Sequence, residues 1–451
     1  MEKCIDFLQN LSKIISERKT LQIILLILCV LAMSASFYNN AFRIAGKNWF
    51  ARFGKDVESH IPATILAQKY HFDTEGYGLG FVSAKGIKDN YGNGTLRMLE
   101  THIPPESFHP YKSAIGIQGF VWAWTYKMLH LENLDVLRMI NSLMSALSIV
   151  LISILLMKIF GKLFGILFFA SMFLSGWVTN FGNNLYWSIS VWFLPALFSF
   201  YIYICRMKSK IPIILCCIGY SLAICMKSLC SYEYLTSIVL FSLSPFLIVI
   251  VFSLITRYKY GKTPPIYSNN YRLIPIKSAY IYTIILFTLS VIGFFLAFTW
   301  HIYIRGEGNI WLGLQDVYQH DFLRRMIGGK AEAFDPVYAQ SLNANIFTVI
   351  GKYLYWEGSF LAGTGKYGFA VLLIVSIALL VQMKNQEEKY LLTSMLFVFA
   401  LPALSWFILG KAHSFVHTHM NFILWYLGFT AMLLYIPSTF LLQKKNNFKK
   451  S

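Results

Sequence analysis

Two carboxylates separated by one residue, Asp56 and Glu58, stand just beyond the first long apolar run of the chain. A carboxylate beside the mouth of an apolar bundle is placed to take a proton from a hydroxyl. A divalent cation, Mg or Mn, bridging it to a phosphate is compatible with the same oxygens. In an extended segment the two side chains share a face, whereas on a helix they point in nearly opposite directions. The residues alone also allow a structural role, with Asp56 capping a helix and Glu58 in its first turn. Further along come Arg305, Arg324 and Arg325, then Lys411 and His417. Such cations suit a departing phosphate, and arginine holds one bidentately. His413 and His417 are four apart and share a helix face, while His419 does not. With no HExxH pattern and no third ligand in register, phosphate binding or acceptor positioning is favoured over zinc. Glu233 lies close to Lys227 at a span end, where charges face a cavity or each other. Asn183 and Asn184, next to Asn180, offer amides for sugar or acceptor hydroxyls, although ordinary turn residues have the same composition.

The elements that must position these groups are apolar. The chain has 451 residues, 56% of them hydrophobic and only 13% charged, against roughly a quarter charged in soluble domains. A net charge of +18 does not point to nucleic acid, because no basic face interleaved with aromatics stands in a soluble domain. Instead the cations fall in short stubs between apolar runs: Lys158/Lys162, Arg206/Lys208/Lys210, Arg257/Lys259/Lys262 and Lys444/Lys445/Lys449/Lys450. That distribution orients helices against a cytoplasmic leaflet. The seven cysteines lie in or beside apolar runs or near the N-terminus, which argues against disulfides in outer loops.

The apolar runs predict an all-α polytopic membrane protein forming a single integral-membrane domain, 1–451, with about ten helical crossings of roughly 20 residues. The expected spans are 21–42, 136–157, 163–179, 185–204, 211–230, 235–256, 279–301, 367–383, 390–409 and 421–442. An even number of crossings leaves both basic termini inside and sends about three quarters of the acidic residues outside. A first outer loop, 43–135, a basic inner loop, 257–277, and a second outer loop, 302–366, connect them. Within the first outer loop, Ile61–Tyr70 and Ile115–His130 read as juxtamembrane helices lying on the outer leaflet. The stretch 73–113, rich in Gly, Asn, Asp and Pro, reads as irregular. No internal repeat is apparent, which weakens transporter architectures built from repeated halves.

In layout the first 240 or so residues resemble the GT-C superfamily of polytopic glycosyltransferases, in particular the protein O-mannosyltransferase and aminoarabinose-transferase branch. Lys55-Asp56-Val57-Glu58 occupies the place of that family's acidic motif. The run from Tyr111 to His130 is similar to its juxtamembrane helix, although the family's prolines are missing. Val136-Leu137-Arg138-Met139 is similar to its arginine-led approach to the second span, and Lys158-Ile159-Phe160-Gly161-Lys162 to the basic turn after it. The second half departs, since it contains no large soluble outer domain. In size and topology the chain is also similar to phage-type serotype-converting glucosyltransferases that decorate O-antigen in bacteria.

The resemblance implies a polyprenyl-phosphate sugar donor, an envelope-glycan acceptor and a site on the periplasmic face of the cytoplasmic (inner) membrane. It implies Asp56, with Glu58, as the base in a single inverting displacement, with Arg305, Arg324, Arg325, Lys411 or His417 on the phosphate. Glu233, Asn183, Asn184 and His413 would meet sugar or acceptor. Two alternatives stand beside it. An O-antigen polymerase or ligase would rely on Arg and His of the second outer loop and leave Asp56 dispensable. A lipid-linked glycan flippase or transporter would want ionisable residues deep in several spans, where this chain has few.

Overall fold

In a computed structural model the described residues are 19–88, 92–205, 211–261, 267–268, 271–323, 336–354, 360–365 and 367–448. Apolar runs in a lipid core have no water to satisfy their backbone groups, so they close their hydrogen bonds internally as helices. Six helices among the described residues are long and apolar enough to cross a membrane: Lys19–Asn39, Asp135–Phe160, Ile213–Cys230, Leu235–Tyr260, Ile276–Arg305 and Gln386–Leu409. The molecule is a helical, multi-pass membrane protein.

Two of the ten expected spans are not single rods. The segment expected over 163–179 is Lys162–Phe173 followed by Gly176–Asn183 at 69°. The break falls where Ser175 turns extended and its hydroxyl accepts the Val178 N–H at 3.2 Å, so a new helix is capped in a new direction. Likewise Thr418–Tyr426 meets Phe429–Lys444 at 47°. Counting each bent pair as one span gives eight. The expected spans 185–204 and 367–383 are helices of 16 and 15 residues, Ser190–Cys205 and Gly368–Gln382, shorter than a crossing of roughly 20.

Helix Leu235–Tyr260 sits centrally, with 61% of its most apolar window buried, while Lys19–Asn39 and Ile276–Arg305 are peripheral at 22% each. Because lipid is as apolar as leucine, small residues and hydroxyls must hold the helices together. Tyr220 does so for three of them: its hydroxyl lies 2.9 Å from Ser242 Oγ and 2.8 Å from Ser290 Oγ. The hydroxyl of Ser199 is satisfied by the Ser242 carbonyl on Leu235–Tyr260.

The first outer loop is more ordered than its composition suggests. Strands Gly80–Ser83 and Ser107–Pro110 pair antiparallel, and Asn93–Glu100 is helical, all within the stretch expected to be irregular. Helix His60–Lys69 forms where a leaflet-lying helix was expected, but His60 through Ala67 are buried in protein. Its polar groups account for the difference. Thr64 Oγ1 donates to the Gly78 carbonyl at 2.8 Å, and His60 Nδ1 hydrogen-bonds the Gly80 carbonyl at 2.8 Å. Helix Ile117–Met128 keeps the two-sided character expected of an interfacial helix, with Trp122 and Ala123 inward and Val121, Trp124 and Met128 outward. Its close approach to Gly78 requires glycine, since a Cβ on Gly119 would lie 1.5 Å from the Gly78 oxygen.

The second outer loop runs through Ile310–Val317, a π-helical turn Tyr318–Phe322, then Pro336–Asn343 and Ile346–Lys352. In the inner loop, helix Leu235–Tyr260 extends past the expected boundary, and Tyr267–Ser268 pairs with Tyr271–Arg272.

Candidate functional site

Gly54 begins the site. Its φ is +58°, a left-handed conformation that glycine adopts freely, and a Cβ there would lie 2.6 Å from the Trp187 ring. After it, Lys55–Glu58 forms one helical turn. Helical phase separates the two carboxylates, so they do not share the face an extended segment would give them. Asp56 is exposed, whereas Glu58 is 6% exposed.

Inside, Glu58 is fully engaged. Its Oε2 accepts from an Arg138 guanidinium nitrogen at 2.7 Å and its Oε1 from Arg138 Nε at 3.3 Å. The same Oε1 accepts the Leu185 N–H at 3.2 Å. A carboxylate so occupied anchors the turn and is not the group presented to a substrate. Asn184 secures the other end, its amide donating to the Gly54 carbonyl at 3.0 Å. Asn141 in turn donates to the Gly182 and Asn184 carbonyls at 3.0 and 3.2 Å. Asn184 is therefore a positioning residue for the acidic turn. Asn183 and Asn180 differ from it: the Asn183 Oδ1 and both amide atoms of Asn180 are buried with no hydrogen-bond partner among the described residues.

Asp56 is left exposed near His419, in the run Lys411–Asn421. Helix Gly176–Asn183 joins the two segments. Trp177 touches Trp49 edge-on at 5.0 Å and donates its indole N–H to the His419 carbonyl at 2.8 Å. Phe181 touches Phe53 at 5.3 Å. The Asp56 carboxylate lies within electrostatic reach of the His419 imidazole.

From His419 the polar groups continue inward. The rings of His419 and His417 are 5.9 Å apart and those of His417 and His413 are 4.6 Å apart. His413 Nε2 lies 3.7 Å from a Glu233 carboxylate oxygen, with both side chains largely buried. Asn421 sits across from this pair, its amide 3.2 Å from His413 Nδ1, while the Tyr234 hydroxyl donates to its Oδ1 at 2.6 Å. Trp406 lines the same cluster, 5.3 Å from the Tyr234 ring and 5.7 Å from that of His413. Its buried indole N–H has no partner among the described residues. The structure thus brings together Asp56, His413, His417 and Glu233 from the expected set and adds His419, Asn421, Tyr234 and Trp406. His419 and Asn421 fall in or beside the histidine-rich run already visible in the sequence, whereas nothing in sequence flags Tyr234 or Trp406.

The expected phosphate-binding cations fare differently. Lys411 donates to the Leu342 and Ala344 carbonyls at 2.6 and 2.9 Å, tying the second outer loop to the helix Lys411–Val416. Burial lowers its ammonium below the usual lysine range. Lys352 is used similarly, lying over the Phe415 ring at 3.4 Å and donating to the Phe415 carbonyl at 3.3 Å. Arg305 is clamped, donating to Asp316 and to the Lys112 carbonyl, with Asp321 at 3.6 Å. Opposed by burial, the hydrogen bond and charge of Arg305, with His320, still hold Asp316 below the ordinary carboxylate range. Burial pushes the neighbouring Tyr77 phenol up to about 12, against the charge of Arg305. Arg324 and Arg325 lie outside the described residues.

The turn between Cys230 and Leu235 stands between these two clusters. Lys227 Nζ donates to the Ser231 carbonyl at 2.6 Å and so holds it in place. On one side Tyr232 meets His301 at 3.2 Å, itself 3.0 Å from the Lys112 carbonyl. On the other, Glu233 and Tyr234 meet His413 and Asn421. For a divalent cation, no three His, Cys, Asp or Glu side chains among the described residues converge as a ligand group. Chemically, the arrangement offers one exposed carboxylate on a fixed turn, next to a row of imidazoles that ends at a second carboxylate. Comparison with protein-family models, with curated proteins and with solved structures found no match for this chain.

Proposed function

We infer that this protein is a GT-C-type glycosyltransferase of the bacterial cytoplasmic membrane, moving a sugar from a polyprenyl-phosphate donor to an envelope glycan on the periplasmic side. The observation that carries the reading is the exposed Asp56 on a turn clamped through Glu58–Arg138 and Asn184, within electrostatic reach of His419. A general base must be held where an acceptor hydroxyl arrives, and a turn with this many anchors costs little reorganisation when the substrate binds.

In this mechanism the donor's lipid chain lies among the apolar helices and its sugar phosphate at their outer ends. Asp56 accepts the acceptor's hydroxyl proton while the oxygen attacks the anomeric carbon. The bond to the phosphate oxygen breaks with inversion, and its electron pair leaves on the phosphate. Glu233, His413, Asn421 and Trp406, largely buried and polar at their tips, contact sugar or acceptor hydroxyls. With Lys411 and Arg305 engaged by protein partners, Arg324 and Arg325 are the cations assigned to the phosphate.

The test is transfer of radiolabelled sugar from a panel of polyprenyl-phosphate sugars to envelope glycan by the purified protein in lipid. Asp56→Asn should lose about 10²–10⁴ of turnover, with donor binding and thermal stability retained. Arg324→Ala/Arg325→Ala should weaken donor binding. Full activity in Asp56→Asn would move the chemistry away from the first outer loop.

A further inference from the structure

The inner end of the histidine row has a hydrogen-bond polarity that its neighbours dictate. Tyr234 is buried and holds a left-handed backbone, with φ at +62°. A bulky residue keeps that conformation only where its surroundings enforce it. It places the phenol 2.6 Å from Asn421 Oδ1. Asn421 is fully buried, and Ser414 settles which way its amide points. The Ser414 hydroxyl donates to the Trp406 carbonyl at 3.3 Å, so toward Asn421, 3.4 Å away, it accepts. The amide therefore turns its NH2 to Ser414 and its oxygen to Tyr234, whose O–H donates. The same NH2 lies 3.2 Å from His413 Nδ1, which has to accept. An imidazole whose Nδ1 accepts carries its proton on Nε2. That nitrogen stands 3.7 Å from Glu233 Oε1, wider than a hydrogen bond. Glu233 is steadied by its own backbone N–H, which donates to Ser231 Oγ at 3.1 Å.

We propose that Tyr234, acting through Asn421, fixes His413 as a donor beside the Glu233 acceptor, and that this pair recognises two adjacent hydroxyls of a sugar. One hydroxyl oxygen accepts from His413 Nε2–H, and the neighbouring O–H donates to Glu233. A carboxylate has room for several donors, so its protein contacts do not compete. An ammonium in place of the first hydroxyl would set donor against donor, and a carboxylate in place of the second would set acceptor against acceptor. Trp406 supplies a further donor, since its buried indole N–H has no partner among the described residues. Its ring stands edge-on to those of Tyr234 and His413, at 5.3 and 5.7 Å. A buried N–H left unpaired is costly, and a hydroxyl oxygen relieves that cost. Which sugar-bearing substrate arrives here rests on the glycosyl-transfer reading. Tyr234 and Asn421 are positioning residues, because they act through His413.

Nitrogen magnetic resonance of histidine-labelled full-length protein in lipid nanodiscs reads the tautomer, with the His413 signals assigned by their loss in His413→Gln. In the parent, Nε2 should carry the proton and Nδ1 should not. Asn421→Asp replaces the donating NH2 by an accepting oxygen and should bring a proton onto Nδ1, which mere loss of packing would not do. Saturation-transfer binding of the methyl pyranosides of glucose, galactose and mannose, and of their monodeoxy derivatives, reads the recognition. At least one parent glycoside should bind, and removing either of two adjacent hydroxyls should weaken it about tenfold or more. Removing the remaining hydroxyls should matter little. This panel uses the parent protein alone, so it decides the subsite even where a buried variant fails to fold. A proton on Nδ1 of the parent overturns the fixed donor. Absence of binding, or binding indifferent to which hydroxyl is removed, overturns the subsite. Selective binding without transfer from any polyprenyl-phosphate sugar removes the glycosyl-transfer reading and leaves the subsite standing, whereas transfer with indifferent binding does the reverse.

Discussion

At the scale of single residues, the acidic turn shows how one helical phase assigns different tasks to similar groups. Glu58 is buried against Arg138, and a buried ion pair that loses one partner leaves the other charge uncompensated, at a cost of about 3–5 kcal/mol. Glu58→Gln should therefore lower thermal stability sharply, whereas replacing both residues by leucine should restore part of the loss. Equal stability of Glu58→Gln and the parent would argue that the pair is not an anchor. Much of this was legible in sequence only as a fork: the two carboxylates share a face if extended and diverge if helical, and the left-handed Gly54 and the Arg138 pairing decide it. The fates of Lys411 and Arg305 were not legible. The partners of Lys411, the Leu342 and Ala344 carbonyls, and the Lys112 carbonyl that Arg305 binds alongside Asp316, are distant backbone atoms that no side-chain pattern announces.

At the scale of elements, the two outer loops are latched together by a hydrogen bond at Lys112. Lys112 of the first meets Glu75 at 2.8 Å and offers its carbonyl to Arg305. Arg305 in turn holds the Ile310–Phe322 segment through Asp316. Because Asp316 titrates below its ordinary value when folded, its contribution is present above the unfolded pKa of about 3.9 and is lost as pH falls through the folded value. Protection factors in 310–322, taken relative to the intrinsic exchange rate, should thus fall as pH drops below about 4, and Asp316→Asn should show low protection at neutral pH as well; protection unaffected by acid would remove the latch. The elements themselves were mostly readable, since long apolar runs leave the backbone little choice but helix. What escaped was short or bent: four-residue strands such as Gly80–Ser83 carry too few alternations to register, and the bend after Phe173 depends on a single serine cap.

At the scale of the whole molecule, charge distribution rather than packing determines which end faces which compartment. In a cysteine-free background, single cysteines at Lys85 and Gly363 should react with an impermeant maleimide on spheroplasts, and one at Lys384 should not; labelling at 384 together with 85 would invert or break the arrangement. All three positions are exposed. The same long-range architecture also has a temporal side. Trp177 bonds a carbonyl 242 residues later in the chain, so at about 5–20 residues per second the ribosome needs roughly 12 to 48 s to supply His419 after Trp177 has emerged. During that interval the nascent protein already has its acidic turn in the membrane but not His419. The candidate site is consequently completed as one of the last events of biogenesis, and a chain released early would carry the acidic turn without the histidine row.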